Sequence, residues 1–146
     1  MLEELVNYGA VKNLEEIRGV GHRVVHGGEK YAKSVVIDNK VIKDIKEFTK
    51  FAPLHHPGNI AGIKAMQKAL PDATQVAVFD TAFHQTIPKI QFMYPVPMEW
   101  YKKYGVRKYG FHGTSHKYIT EVMQKKLGKE DVNLIVCHVG SGASIT

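Results

Sequence analysis

Short β-branched apolar runs alternate along this chain with longer segments of helical period, and that alternation restricts it to the α/β class. Val20 to His26 reads as a strand running into a turn at Gly27-Gly28, and Ser34 to Ile37 as a second strand closed by Asp38-Asn39. Val76 to Phe79 is a third, ending on Asp80. Val132 to Val139 has the composition of a buried fourth, turning at Gly140-Ser141-Gly142 and restarting at Ala143. Between them lie helices. One is capped by Asp38 or Asn39 and carries Val41, Ile42, Ile45 and Phe48 on one face. Another is opened by Pro57, with Ile60, Ile63, Met66 and Leu70 as its stripe, and stops at Pro71-Asp72. A third starts at Thr114 or Ser115, turns Ile119, Val122, Met123 and Leu127 inward, and stops at Gly128. Leu2 to Tyr8 and the stretch around Trp100-Tyr101 read as short helices, while the pattern weakens from Thr81 to Pro97.

With 146 residues the chain is long enough for a domain-sized core. Its net charge of +6 does not imply nucleic acid, because the basic residues are spread out. Lys40, Lys43, Lys46 and Lys50, for example, form the solvated face of a helix. A basic surface suits small anionic substrates equally well. No apolar run approaches the roughly 20 residues of a membrane span, and the acidic start Met1-Leu2-Glu3-Glu4 is unlike a signal peptide. The single cysteine, Cys137, excludes an internal disulfide framework and fits a small buried side chain. Cytoplasm is the expected compartment. The last residues stop partway through a strand that should pair with Val132 to Val139, so the expectation is a fragment of a larger unit.

Four segments carry chemistry. In Gly21-His22-Arg23-Val24-Val25-His26-Gly27-Gly28-Glu29, Arg23 sits among apolar residues of a strand, where burial is costly unless it meets an anion. It is either a guanidinium fork for a carboxylate or phosphate, or half of an internal ion pair with Glu29 or another acid. His22 and His26 have the spacing of a metal pair, but zinc needs further ligands and Cys137 is remote in sequence. Asp80, at the carboxyl end of an apolar strand, stands where α/β proteins put catalytic or metal-coordinating groups, or else caps the next turn. In Gly110-Phe111-His112-Gly113-Thr114-Ser115-His116 the glycines allow close backbone approach and set His112 just before a helix N-terminus, which favours an anion. The spacing of His112 and His116 lacks the glutamate of a metalloprotease, and His116 reads better as a packed, hydrogen-bonded helix residue. In Cys137-His138-Val139-Gly140-Ser141-Gly142-Ala143-Ser144, a strand followed by Gly-x-Gly serves either as a phosphate cradle or as a plain hairpin turn.

Taken in order, the stretches HRVVHGGE (22–29), APLHHP (52–57), VAVFDTAFHQT (76–86), YGVRKYGFHGTSHKY (104–118) and CHVGSGAS (137–144) resemble the acetate kinase family. Propionate kinases share much of this pattern, and butyrate kinases depart more in the first stretch. The resemblance implies the two-domain fold shared with sugar kinases, actin and the heat-shock ATPases (ribonuclease H-like), with substrates in the cleft between domains. Residues 1–82 would be the later part of the first domain and 83–146 the opening of the second, truncated. The family's amino-terminal phosphate loop, a further arginine, a metal-associated glutamate and much of the adenosine pocket have no counterpart in this sequence.

The implied reaction joins ATP and acetate, or a similar short carboxylate, to give ADP and an acyl phosphate, with Mg2+. A carboxylate is already ionised at neutral pH and needs no general base, so the site must align two anions and stabilise the transferring phosphoryl group. By resemblance Arg23 would bind the carboxylate or phosphoryl oxygens, and His112 would donate to the phosphoryl group with support from His55. Asp80 would position Mg2+, its waters or an active-site arginine. Val25, Leu54 and Pro97 would surround the substrate's methyl group, and His138, Gly140, Ser141 and Gly142 would meet phosphate. Ser141 replaces the family's usual asparagine and His56 stands where asparagine is commoner. The full-length family member is expected to be a homodimer, with neither nucleic acid nor a membrane as partner. By itself this chain is expected to be inactive or nearly so, and a non-catalytic relic or interaction module is the alternative.

Overall fold

In the computed structural model, which describes residues 2–146, a three-stranded mixed sheet carries the packed core. The chain opens with α1 (Leu2–Asn7) and a 3-10 turn at Leu14–Glu16, then enters β1 (Gly19–Val24). The short β2 (Val35–Val36) follows, then α2 (Asn39–Glu47) and α3 (His56–Ala69), and β3 (Thr74–Phe79) returns between the first two strands. β1 lies parallel to β3 with Arg23 opposite Val78 and Val24 opposite Phe79; β2 is antiparallel. Local chemistry sets the starts of α2 and α3 as the sequence predicts. The Asp38 side chain accepts the Val41 N–H at 2.7 Å, and Pro57 sits in the first turn of α3, where its missing N–H costs little.

The core gathers Val24, Tyr31, Ile37, Val41, Ile45, Ile63, Ala77 and Phe79. Burying such side chains contributes about 1.5–3 kcal/mol each before chain entropy is set against it. The Tyr31 ring stacks on Phe79 at 4.6 Å, and its hydroxyl donates to the buried Asp44, which Lys30 also neutralises.

Beside the core, two buried histidines organise the turn after β1. His56 donates from Nδ1 to the Ile45 carbonyl (2.7 Å) and accepts the His26 N–H at Nε2 (3.2 Å), which fixes its tautomer. His26 in turn accepts the Gly28 N–H at Nδ1 (2.9 Å) and packs against Phe51, Tyr109 and Phe111. The predicted pair His22 and His26 makes separate contacts: His26 lies beyond the end of β1 with Nδ1 on the Gly28 N–H, while His22 on the strand bonds Gln75. Among the described residues no cluster of three metal-ligating side chains occurs.

Burial, then the neighbouring His56 and Arg107, push His26 from its ordinary 6.5 down to about 4, and burial lowers His56 as well. The unfolded chain therefore binds more protons than the folded one between these values. Stability should be fully present above pH 6.5 and fall as pH drops towards 4, by on the order of 1 kcal/mol per pH unit from His26, with His56 acting in the same direction. Urea midpoints across that range check this, and a flat profile would contradict it.

After β3 come a 3-10 turn (Phe83–Thr86), α4 (Lys89–Phe92), α5 (Met98–Tyr104), α6 (Gly113–Leu127) and a hairpin of β4 (Cys137–Val139) and β5 (Ala143–Ile145). Arg107 ties this half to the first. Its buried guanidinium pairs with Glu29 and lies 3.6 Å from the centre of the Phe92 ring, while Tyr101 also donates to Glu29.

Several expectations are corrected here. The fourth apolar run is not a buried strand: only Cys137–Val139 is strand, Ile135 and Val139 are more than 80% exposed, and Cys137 is exposed too. A two-stranded hairpin offers no second layer to cover it. Thr114 and Ser115, the expected caps, lie inside α6, which begins at Gly113 with His112 in the cap position, and Ile119 and Leu127 are exposed among the described residues. No helix among the described residues is long and apolar enough to cross a membrane.

Candidate active site

Parallel pairing of β1 with β3 brings the first two predicted site residues together across 57 positions of sequence. Asp80 follows β3 directly, its N–H held by the Val24 carbonyl at 3.0 Å. Its buried carboxylate accepts from Arg23 Nε (3.0 and 3.1 Å) and Nη2 (2.6 Å) in a forked pair. Of the two readings open for Arg23 the ion pair is present, with Asp80 rather than Glu29, whose partner is Arg107. The guanidinium is not buried, however. β1 is an edge strand, the Arg23 side chain is 62% exposed, and Nη1 has no partner among the described residues. An outward donor face is thus left for an anion, while Asp80 holds the group in place and keeps it firmly protonated.

His112 reaches the same place because α6 is docked on the end of β3. The Gly113 N–H donates to the Asp80 carbonyl at 2.9 Å. That contact leaves no room for a side chain: a Cβ on Gly113 would lie 2.2 Å from the same carbonyl oxygen. To enter α6 at this angle, His112 adopts a left-handed backbone (φ 54°), the one positive φ outside glycine among the described residues. Such a conformation persists where surrounding structure over-determines it, as at functional sites. The ring stacks on His138 at 4.1 Å, and Nδ1 lies 2.9 Å from Ser144 Oγ. Burial and then His138 lower its pKa, so the imidazole is neutral near pH 7.

Two cavities meet at these side chains. One, of about 470 Å³, is walled by Val25, Phe51, Leu54 and Phe111, with His55, Arg23, Asp80 and His112 at its polar end. The other, of about 560 Å³, is lined by Ser115, Tyr118, His138 and the turn Gly140-Ser141-Gly142. Arg23, Asp80, His112 and Gly142 belong to both. A site with one apolar pocket, one pocket lined by polar side chains and a glycine turn, and an arginine and a histidine between them can set two anions end to end.

The predicted residues thus converge, with qualifications. Pro97 caps α5 and lines neither cavity. Gly140 donates its N–H to the Gly142 carbonyl at 2.9 Å, which takes that donor away from any phosphate. Both Asp80 oxygens accept from Arg23, the arrangement expected of a residue that positions an active-site arginine. Sequence reasoning missed Phe51 and Ser144. No local motif marks the first, and the second gains meaning only from the hairpin that folds it back onto α6.

Comparison with known proteins gives a consistent picture. Residues 1–146 match the acetokinase family. The acetate kinase of Bacillus mycoides is 58% identical over 147 residues, covering 99% of this chain and 37% of that protein. That of Geobacillus kaustophilus is 56% identical over the same shares. Among solved structures, a propionate kinase from Francisella tularensis superposes with a TM-score of 0.92 at 49% identity, covering 99% of this chain and 37% of that one. Acetate kinase from Entamoeba histolytica gives 0.83 at 35% identity, covering 98% and 36%. The chain therefore spans little more than a third of the length of the relatives it matches.

Proposed function

Since the chain belongs to the acetokinase family, with the α/β fold of its acetate and propionate kinase neighbours, we propose that it forms the carboxylate and phosphoryl side of an acetate kinase active site. Residues 1–82 are the later part of the first domain and 83–146 the opening of the second, with the nucleotide side supplied by sequence beyond this segment. The observation that carries the reading is the meeting of an apolar cavity and a second, glycine-lined cavity at Arg23 and His112.

In this reading acetate places its methyl group against Val25, Leu54 and Phe111, and its carboxylate towards Arg23, with His55 at the rim. The γ-phosphate of ATP enters from the second cavity, near His138, Ser141 and Gly142. One carboxylate oxygen attacks phosphorus in line as the bond from phosphorus to the bridging oxygen breaks, and ADP leaves with the electron pair. No proton moves at the nucleophile, because acetate is ionised at neutral pH. Arg23 and His112 act by stabilising charge on the phosphoryl oxygens, and Asp80 positions Arg23. Mg2+ would enter with the nucleotide and neutralise phosphate charge; Asp80, already forked to Arg23, is not assigned to it.

Propionate is the alternative acceptor. A single methylene in an apolar pocket discriminates by only about 1–3 kcal/mol, and the propionate kinase neighbour fits this chain as well as the acetate kinases do. The cytoplasm and a homodimer of the full-length protein go with the family reading.

The test is a hybrid enzyme in which this chain replaces the matching segment of the Bacillus mycoides relative. With acetate and ATP it should form acyl phosphate, trapped as the hydroxamate, whereas the isolated chain should form none. A folded hybrid that binds ATP yet makes no hydroxamate would favour the relic reading instead.

A further inference from the structure

Behind His112 lies a hydrogen-bonded chain that the reaction scheme does not use. Ser144 Oγ stands between two imidazoles, 2.9 Å from His112 Nδ1 and 2.7 Å from His116 Nε2. His116 is fully buried, and its Nδ1 is the one buried side-chain nitrogen or oxygen among the described residues without a partner. A serine hydroxyl has one proton to give. Its oxygen can accept from both rings, but the hydroxyl proton would then have no acceptor among the described residues. With both rings neutral, all three groups are used when one facing nitrogen carries a proton and the other is bare, which links the two tautomers.

Only two arrangements meet that condition. In the first, His116 Nε2–H donates to Ser144, Ser144 donates to His112 Nδ1, and His112 carries its proton on Nε2. In the second every proton is reversed: His116 holds an orphaned N–H at buried Nδ1, and His112 Nε2 is a bare lone pair. A buried N–H without an acceptor is the rarer defect in folded proteins, and the first arrangement avoids it. His112 Nε2 borders the cleft beside Gly142, where a Cβ would sit 3.5 Å from it. The first arrangement therefore offers the cleft a donor, the second an acceptor that an anion would avoid.

We propose that His116 and Ser144 are positioning residues that hold His112 in its Nε2–H tautomer, so that it presents a preformed donor to the anion in the cleft. The anion's identity rests on the acyl phosphate reading above; the tautomer does not. His116 is buried away from the cleft, and Ser144, at the edge of the first cavity, acts through the ring of His112.

Long-range 15N–1H correlation spectra of the labelled chain read both tautomers directly. The expected result is a protonated Nε2 and a bare Nδ1 on both His112 and His116. Ser144→Ala should shift His112 towards a mixture with Nδ1–H, and Ser144→Thr, which keeps the hydroxyl, should restore it. A wild-type His112 protonated on Nδ1, or a Ser144→Ala variant with both rings unchanged, would overturn the proposal. In the hybrid enzyme Ser144→Ala should lower kcat by roughly tenfold with the KM for acetate nearly unchanged, less than the 10²–10³ of a donor lost outright. Recovery of kcat in Ser144→Thr supports the role, and equal damage by both substitutions counts against it. The expected tautomers in a hybrid that makes no acyl phosphate would leave the relay standing and remove the catalytic reading.

Discussion

Replacing Arg23 with alanine in the hybrid enzyme should lower kcat/KM for acetate by about a thousandfold while leaving ATP affinity unchanged. The magnitude is that of removing a preorganised charge that meets a transferring phosphoryl group. It follows from the division of labour in the guanidinium: Nε and Nη2 are held by Asp80, and the remaining donors face the two cavities. Alanine also strands the buried Asp80 carboxylate, whose side chain is 2% exposed, so a stability loss of about 2 kcal/mol should accompany the kinetic one. Arg23→Lys separates the two effects. A lysine retains a charge beside Asp80 but not the planar fork, so it should recover most of the stability while kcat/KM remains about a hundredfold down. Hydroxamate kinetics with calorimetric ATP titration decide the matter, and a loss confined to ATP affinity would remove Arg23 from the carboxylate side.

Gly113→Ala should be the most damaging single-methyl change in the chain, costing about 3 kcal/mol or preventing docking of α6 altogether. The Cβ would lie 2.2 Å from the Asp80 carbonyl oxygen, a main-chain atom already fixed by the strand, so no side chain can yield to make room. The same shift would break the hydrogen bond from the Gly113 N–H and carry His112 away from Arg23. Gly62→Ala is the matched control. In the interior of α3 nothing lies within 4 Å of its added methyl, and the gain in helix propensity should stabilise by about 0.5–1 kcal/mol. Urea unfolding of both variants measures the contrast, and equal effects would contradict the docking account.

Elements whose boundaries are set by local chemistry were legible in the sequence. Asp38 as a cap, Pro57 in a first turn and Gly128 as a stop each act within a few residues of where they stand. What a face packs against is not local. Val132 to Val139 has strand composition, but periodicity cannot tell whether a second layer covers it, and here Ile135 and Val139 face solvent. Arg23 shows the same limit: its apolar neighbours suggested burial, and only the strand order shows that β1 lies at the edge of the described sheet. Asp80 stood out by position, and its partner was undecided because the parallel register that joins them spans the α2 and α3 crossover. The Ser144 contacts depend on a hairpin folding back onto α6, which no pattern within either segment encodes.

The central claim, that this chain holds the carboxylate side of the site, is tested most directly by titrating acetate into the isotope-labelled chain, with chloride at matched ionic strength as the control. The account predicts that the Val25 methyls, the Arg23 Nε–H and the His112 ring shift together along one saturable curve that chloride does not reproduce. Shifts no larger than those caused by chloride, or shifts centred away from Arg23, would contradict it.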